Sequence, residues 1–178
     1  PDHDSDAYPL LHFVDFAQNV MVLSPRGTTI SVVSDPVAEM MLQCLESVHQ
    51  HGVVHGDVRL PNFVVESREP LKVRIIDFGR SFVAEEGPSE SDDLCPIPIP
   101  PLDDVSEYDF RHDLLAFAIL VLSARAHDEA SSHDEMVERA IRHSAFGAVE
   151  DALADLAPKT TPTATHYKNV ALALRIVQ

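Results

Sequence analysis

Four polar residues, His55, Asp57, Arg59 and Asn62, stand in the stretch VVHGDVRLPNFVV (53–65), between two β-branched apolar runs. Asp77, followed by Phe78 and Gly79, ends the next apolar run, LKVRIIDFG. An irregular polar loop held between rigid flanks is how catalytic groups are usually placed. Gly79 leaves the backbone free to turn sharply after Asp77. Two carboxylates and an amide converging from neighbouring loops offer the oxygen ligands that a divalent cation prefers. Taken singly, the motifs also fit a plainer role, with Asp57 a turn acid and Asn62 a strand-capping amide. Together, in this order and each beside a β-branched run, they favour a site.

The elements that must hold these residues can be read along the chain. LLHFVDF and NVMVL have strand composition, SPRG supplies turn residues, and TTISVV predicts a third strand. Ser34 and Asp35 can cap a helix that Pro36 suits at its first position. Val37, Met40, Met41, Cys44, Leu45 and Val48 recur on one helical face, and Gly52 ends it. His49 and His51 lie two apart at that end and read as a solvated helix terminus rather than a metal pair. Val73, Ile75 and Ile76 predict a short buried strand. Residues 84–101 lose all periodicity and, with CPIPIPP, read as an extended surface loop. Ser81, Ser89 and Ser91, in the segment after Asp77, are candidate phosphosites but read as solvated loop residues, since five acids between Glu85 and Asp93 disfavour added phosphate without cations. FRHDLLAFAILVLSARA is apolar nearly all round from Leu114 to Leu122, which places that helix at the centre of a domain. Two amphipathic helices are expected near 133–146 and 148–157, then a linker PKTTPTAT and a last helix over 166–177. With helices through the second half and a mixed first half, the fold class is α+β.

At 178 residues the chain is long enough for one domain with a real core. No apolar run approaches the ~20 residues of a membrane span. Net charge is −16, from 13 basic and 29 acidic residues, which disfavours nucleic acid and anionic membrane as partners. That charge also repels a nucleotide unless local cations or metal ions compensate. Cys44 and Cys95 have neither disulfide-framework nor metal-ligand spacing, so we expect free thiols and an intracellular, cytoplasmic location. The start at Pro1 rather than Met leads us to expect a chain that is processed, cut from something longer, or a recombinant fragment.

With these residues in place, the chain resembles the protein kinase superfamily. HGDVRLPN is similar to the catalytic loop H-R-D-L-x-x-x-N, and DFG to the metal-binding tripeptide. The resemblance implies ATP and Mg²⁺ as cofactors and a role for each matching residue. Asp57 would accept the proton of the attacking hydroxyl, Asn62 would hold one magnesium, and Asp77 would hold magnesium bridging the ATP phosphates. Arg59 stands where protein kinases commonly carry Lys and would neutralise the transferred phosphate. His55 would pack the loop from below. NVMVLSPRG is similar to the strand and hinge that hold an adenine ring, which implies that the backbone of Met21, Val22 and Leu23 lies near the base. Asp113 is similar to the acid that opens the central helix of the C-lobe and ties down the catalytic loop. The resemblance runs from about residue 10 to about residue 125, and the later helices carry no motif of the family.

The chain also departs from the family pattern. The twenty residues before Met21 contain no glycine and no lysine, so the Gly-rich loop, the strand lysine and its glutamate partner have no place there. We therefore expect a truncated protein-kinase-like domain over 1–178, with 1–33 as residual N-lobe strands and hinge and 34–178 as a mostly helical C-lobe. Gly56 replaces the Arg that normally binds a phosphorylated activation loop, which argues against that switch. His-Gly-Asp is also found in atypical kinases and in small-molecule phosphotransferases, whereas Asp-Phe-Gly favours the protein-kinase side. No Ala-Pro-Glu closes the segment. Three readings follow. The chain is the catalytic C-lobe of a longer kinase acting on a protein Ser or Thr, with the N-lobe supplied by the parent chain. Alternatively it is a truncated, non-catalytic relative docking a regulatory partner through residues 96–101. The third reading is a small-molecule kinase.

Overall fold

The computed structural model describes residues 27–87, 108–126 and 132–176, together with two strands over 10–15 and 20–24 whose backbone alone is described. Cys95, Ser89, Ser91 and the proline-rich stretch 96–101 lie outside these residues. The two strands, β1 (Leu10–Asp15) and β2 (Val20–Ser24), form an antiparallel pair. The third expected strand is short. β3 (Thr28–Thr29) stops where Ile30 turns into the core and the chain leaves the ladder for the helix cap at Ser34.

Helix α1 (Asp35–Gln50) begins after Ser34 with proline in its first turn, as the sequence predicts, but the Ser34 side chain makes no capping hydrogen bond and Asp35 is already helical. It buries Ala38, Met41, Leu42, Cys44, Leu45, Val48 and His49. The Cys44 thiol donates to the Val73 carbonyl at 3.2 Å, and burial pushes its pKa up to about 12. It is thus a free, buried and unreactive thiol. His49 corrects the sequence expectation. It is fully buried, while His51 is exposed. The helical period explains this, because His49 follows Leu45 by four residues and shares its face.

After α1 come β4 (Val53–Val54), a 3₁₀ turn over Leu60–Asn62, β5 (Phe63–Arg68), β6 (Leu71–Ile75) and β7 (Phe82–Val83). β3, β5 and β6 make one antiparallel sheet in the order β3-β5-β6, and β4 pairs with β7 in another. Phe63 stands opposite Ile75, and both are completely buried.

Helix α2 (Phe110–Arg125) is the axis of the core, with every residue from Asp113 to Leu122 buried. Its start is a capping box: Asp109 accepts from the Arg111 amide at 2.9 Å and its own amide donates to His112 Nδ1 at 2.9 Å. At its other end Arg125 donates to Asp35 at 2.7 Å and to the Leu174 carbonyl, tying three helices together. The next helices are α3 (His133–Ile141), α4 (Ser144–Ala152) and α5 (Ala164–Leu174). The break between α3 and α4 falls earlier than the sequence suggests, because His143 caps α4 by accepting the Ala145 amide at 3.1 Å. α4 likewise ends at Ala152 rather than near 157, with 153–155 in turns. Among the described residues, no helix is long and apolar enough to cross a membrane.

Two predictions follow from this packing. Phe117 is completely buried on α2, so Phe117→Ala lowers stability by about 3–5 kcal/mol in urea titration. Gly52 and Gly56 both have positive φ, 74° and 77°, yet only Gly56 is crowded. A Cβ at Gly52 meets nothing within 4 Å, whereas one at Gly56 lies 2.5 Å from the Arg80 carbonyl oxygen. Gly52→Ala therefore costs roughly 1–2 kcal/mol from backbone strain alone. Gly56→Ala costs at least ~1 kcal/mol more, from the forced displacement of backbone. Equal urea midpoints for the two variants would contradict this account.

Candidate active site

The loop after β4 is organised by a carboxylate from another helix. Asp113, completely buried on α2, accepts the His55 amide at 2.6 Å and the Gly56 amide at 3.0 Å. His49 Nε2 lies 2.9 Å from the same carboxylate. The sequence expectation that Asp113 ties down the loop is therefore met atom by atom. The positive φ of Gly56 turns its amide inward, and the Arg80 carbonyl fills the space a side chain would need. The absence of Arg at position 56 is thus a steric requirement of this backbone.

His55 is the inner wall of the loop. Its Nε2 lies 3.1 Å from the Ile76 carbonyl and its Nδ1 accepts the Asp57 amide at 3.3 Å. A carbonyl can only accept and an amide can only donate, so the partners assign a neutral ring protonated at Nε2. Its centroid is 5.0 Å from that of Phe78. His55 thereby links the Asp57 loop to the turn that carries Asp77, in the structural role the resemblance implies. Ser81 is also part of this contact. It is half-buried and donates to the His55 carbonyl at 2.9 Å, so it is not the solvated loop residue expected from sequence.

Asp57 is buried, and one of its oxygens, Oδ2, takes both described side-chain contacts. Asn62 Nδ2 donates to it at 2.9 Å and Arg59 Nε lies 3.0 Å away. Oδ1 carries no described hydrogen bond, and so remains as the oxygen that can accept a proton. Asn62 Nδ2 also donates to the Asp57 carbonyl at 2.8 Å. The amide nitrogen is thus committed to Asp57, which leaves Asn62 Oδ1 as the oxygen for a cation. The Ile76 amide donates to the Asn62 carbonyl at 2.8 Å, so the β5–β6 hairpin brings Asn62 beside the strand end from which Asp77 emerges. Asp77 is exposed, with φ 63°, and its Oδ1 lies 3.4 Å from the Gly79 amide. Among the described residues no three His, Cys, Asp or Glu side chains converge on a metal position. The chain offers instead one amide and one carboxylate, a set that fits a magnesium ion whose remaining ligands are phosphate and water.

The structure brings Asp57, Arg59 and Asn62 into direct contact and sets Asp77 at the neighbouring strand end. Met21, Val22 and Leu23 stand apart, along β2, opposite Val14, Phe13 and Leu11 in a sheet that shares no strand pairing with the others. The residues that sequence reasoning missed are His49 and Tyr167. Tyr167 is buried on α5 and its hydroxyl lies 2.7 Å from His49 Nδ1. Both lie on the apolar stripes of their helices, which was the available signal.

No protein-family model matches the chain. Among curated proteins it is similar to "Probable serine/threonine-protein kinase 2" of Plasmodium falciparum, 28% identical over 79 residues, 44% of this chain and 16% of that protein. It is also similar to serine/threonine-protein kinase PKH1 of Saccharomyces cerevisiae, 23% identical over 93 residues, 52% of this chain and 12% of that protein. The matched stretches are therefore a small part of both relatives. Among solved structures it is similar to vaccinia related kinase 3, with a TM-score of 0.60 and 14% identity, covering 96% of this chain and 68% of that one. At that identity the likeness is one of fold. Motif order and the sequence matches make the chain similar to the protein kinases over about half its length, and its fold is the α+β, protein-kinase-like one.

Proposed function

We propose that this chain is the catalytic C-lobe of a longer kinase that transfers phosphate from Mg-ATP to a Ser or Thr hydroxyl of a protein. The observation that carries the reading is the state of Asp57. Asn62 and Arg59 hold its Oδ2, and Oδ1 is left to receive a proton. In this reading Asp57 orients the acceptor hydroxyl and takes its proton as the oxygen attacks. Arg59, half-exposed beside it, offsets the charge of the transferred phosphate. Asn62 Oδ1 and Asp77 would hold magnesium, which supplies neutralisation of the phosphate oxygens when bound. The need for it is acute on a chain of net charge −16. The backbone of Met21 to Leu23 would line the adenine. A protein acceptor is supported by the serine/threonine kinases matched in sequence.

Calorimetry of Mg-ATP on this chain tests the reading beside two variants. Asp77→Asn removes a charged metal ligand and weakens metal-dependent binding by about tenfold or more. Asp57→Asn keeps the side-chain volume and leaves nucleotide affinity within about threefold, since the base contributes to turnover rather than to ground-state binding. No binding to the unsubstituted chain at millimolar ATP would sink autonomous catalysis and favour a non-catalytic docking module.

A further inference from the structure

Asp113 is joined from outside the Asp57 loop by a chain of buried groups. His49, on the last turn of α1, sits between Asp113 and α5, with Nε2 2.9 Å from Asp113 Oδ2 and Nδ1 2.7 Å from the Tyr167 hydroxyl. His49 and Asp113 are completely buried and Tyr167 is 4% exposed. The His49 ring is held edge-on by Phe110, at 4.9 Å between centroids. α5 itself is fixed at its start: the Thr163 amide donates to His166 Nδ1 at 3.0 Å, and His166 Nε2 lies 3.2 Å from Asp155.

The direction of these bonds can be worked out. The Asp113 carboxylate only accepts, so the His49 nitrogen facing it carries a proton. Burial, and then the charges of Glu46 and Asp113, push the Tyr167 pKa well above that of a free phenol, so the phenol keeps its proton. Among the described residues that hydroxyl has one hydrogen-bond partner, His49 Nδ1. Only a proton pointing at Nδ1 leaves no buried donor unpaired, which assigns Nδ1 as the bare nitrogen. The ring is neutral and locked with its proton toward Asp113.

We propose that Tyr167 is a positioning residue for the Asp57 loop, acting through His49 and Asp113, so that the seating of the C-terminal helix α5 sets the order of that loop. The relay runs Tyr167 O–H to His49 Nδ1, His49 Nε2–H to Asp113, and Asp113 to the amides of His55 and Gly56. Each link is a buried hydrogen bond in a low-dielectric interior, where losing one member leaves a polar atom unpaired. A partner or modification that shifts the first turn of α5 would thereby act on Asp57 across the core. The catalytic meaning of this coupling rests on the function proposed above. The coupling itself does not, and its test uses no nucleotide, so the two can fail separately.

Nuclear magnetic resonance of the full chain supplies two readouts. In the unsubstituted protein the His49 ring nitrogens should show a protonated Nε2 and a bare Nδ1. A cationic ring, or one protonated at Nδ1, would overturn the proposal whatever any variant does. In Tyr167→Phe, which loses one oxygen and keeps the ring, the His55 and Gly56 amides should exchange with solvent about five- to tenfold faster. The amides of Val65 and Val73, on the β5–β6 hairpin, should change less than twofold by the same local-opening argument. Equal acceleration at all four amides would reduce Tyr167 to a general stabiliser, and no change at His55 and Gly56 would break the relay. Either result overturns the proposal.

Discussion

A single carboxylate, Asp113, decides where the Asp57 loop can sit. It is completely buried on the most apolar helix of the chain and receives two backbone amides and one imidazole. An ionised group in that position is tolerable only when its oxygens are matched by donors. Here the donors come from two separate elements, the end of α1 and the loop after β4. The electrostatic demand of one side chain therefore fixes the mutual placement of α1, α2 and the loop. Hydrogen bonds to a charged acceptor contribute ~1.5–3 kcal/mol net each, a large share of a typical domain's stability. The wholly apolar run from Leu114 to Leu122 is the counterpart of this demand, because it makes α2 rigid enough for its first turn to serve as an anchor.

From that anchor the rest of the site follows by short steps. Asp113 turns the His55 and Gly56 amides inward, so the His55 ring is directed beneath the loop, where Ile76 and Phe78 meet it. His55 accepts the Asp57 amide, and Asn62 reaches back to both the carbonyl and the carboxylate of Asp57. The His55 ring, the Asp57 amide and the Asn62 amide nitrogen are thus all paired on the inner side of the loop. Asp57 Oδ1 and Asn62 Oδ1 take none of these bonds, and they are the atoms to which the proposed function gives work.

Much of this could be read from the sequence, and the misses have a common cause. The helix start at Ser34 with Pro36, the central apolar helix, and the order of Asp57, Asn62 and Asp77 are local signals. Each depends on residues close in the chain. His49, Ser81 and Tyr167 were not legible in the same way, because their partners lie 64, 26 and 118 residues distant in sequence. A histidine at a helix end looks solvated until the carboxylate that receives it is found on another helix. The α3–α4 break was missed for a different reason: His143 is an uncommon cap, and its ring nitrogen does the work usually expected of Ser, Thr, Asn or Asp. Met21 to Leu23 show the opposite limit, since their hinge reading came from resemblance and only their place on β2 is described.

Gly56 and the buried relay are two sides of one arrangement. Where the family pattern has Arg, a charge is available to read a phosphate on the following segment. This backbone excludes any side chain there, because the Arg80 carbonyl occupies the space. The segment that would have carried such a phosphate is itself acidic, with five acids from Glu85 to Asp93, so a further negative charge would be repelled rather than held. Order in the Asp57 loop therefore has to come from beneath. Asp113 holds its backbone, Ser81 ties its His55 carbonyl to the following turn, and His49 closes the Asp113 carboxylate from the side of α5. A loop restrained in this way is ordered by folding itself, and what can still be varied is the packing of the helices that carry its anchors.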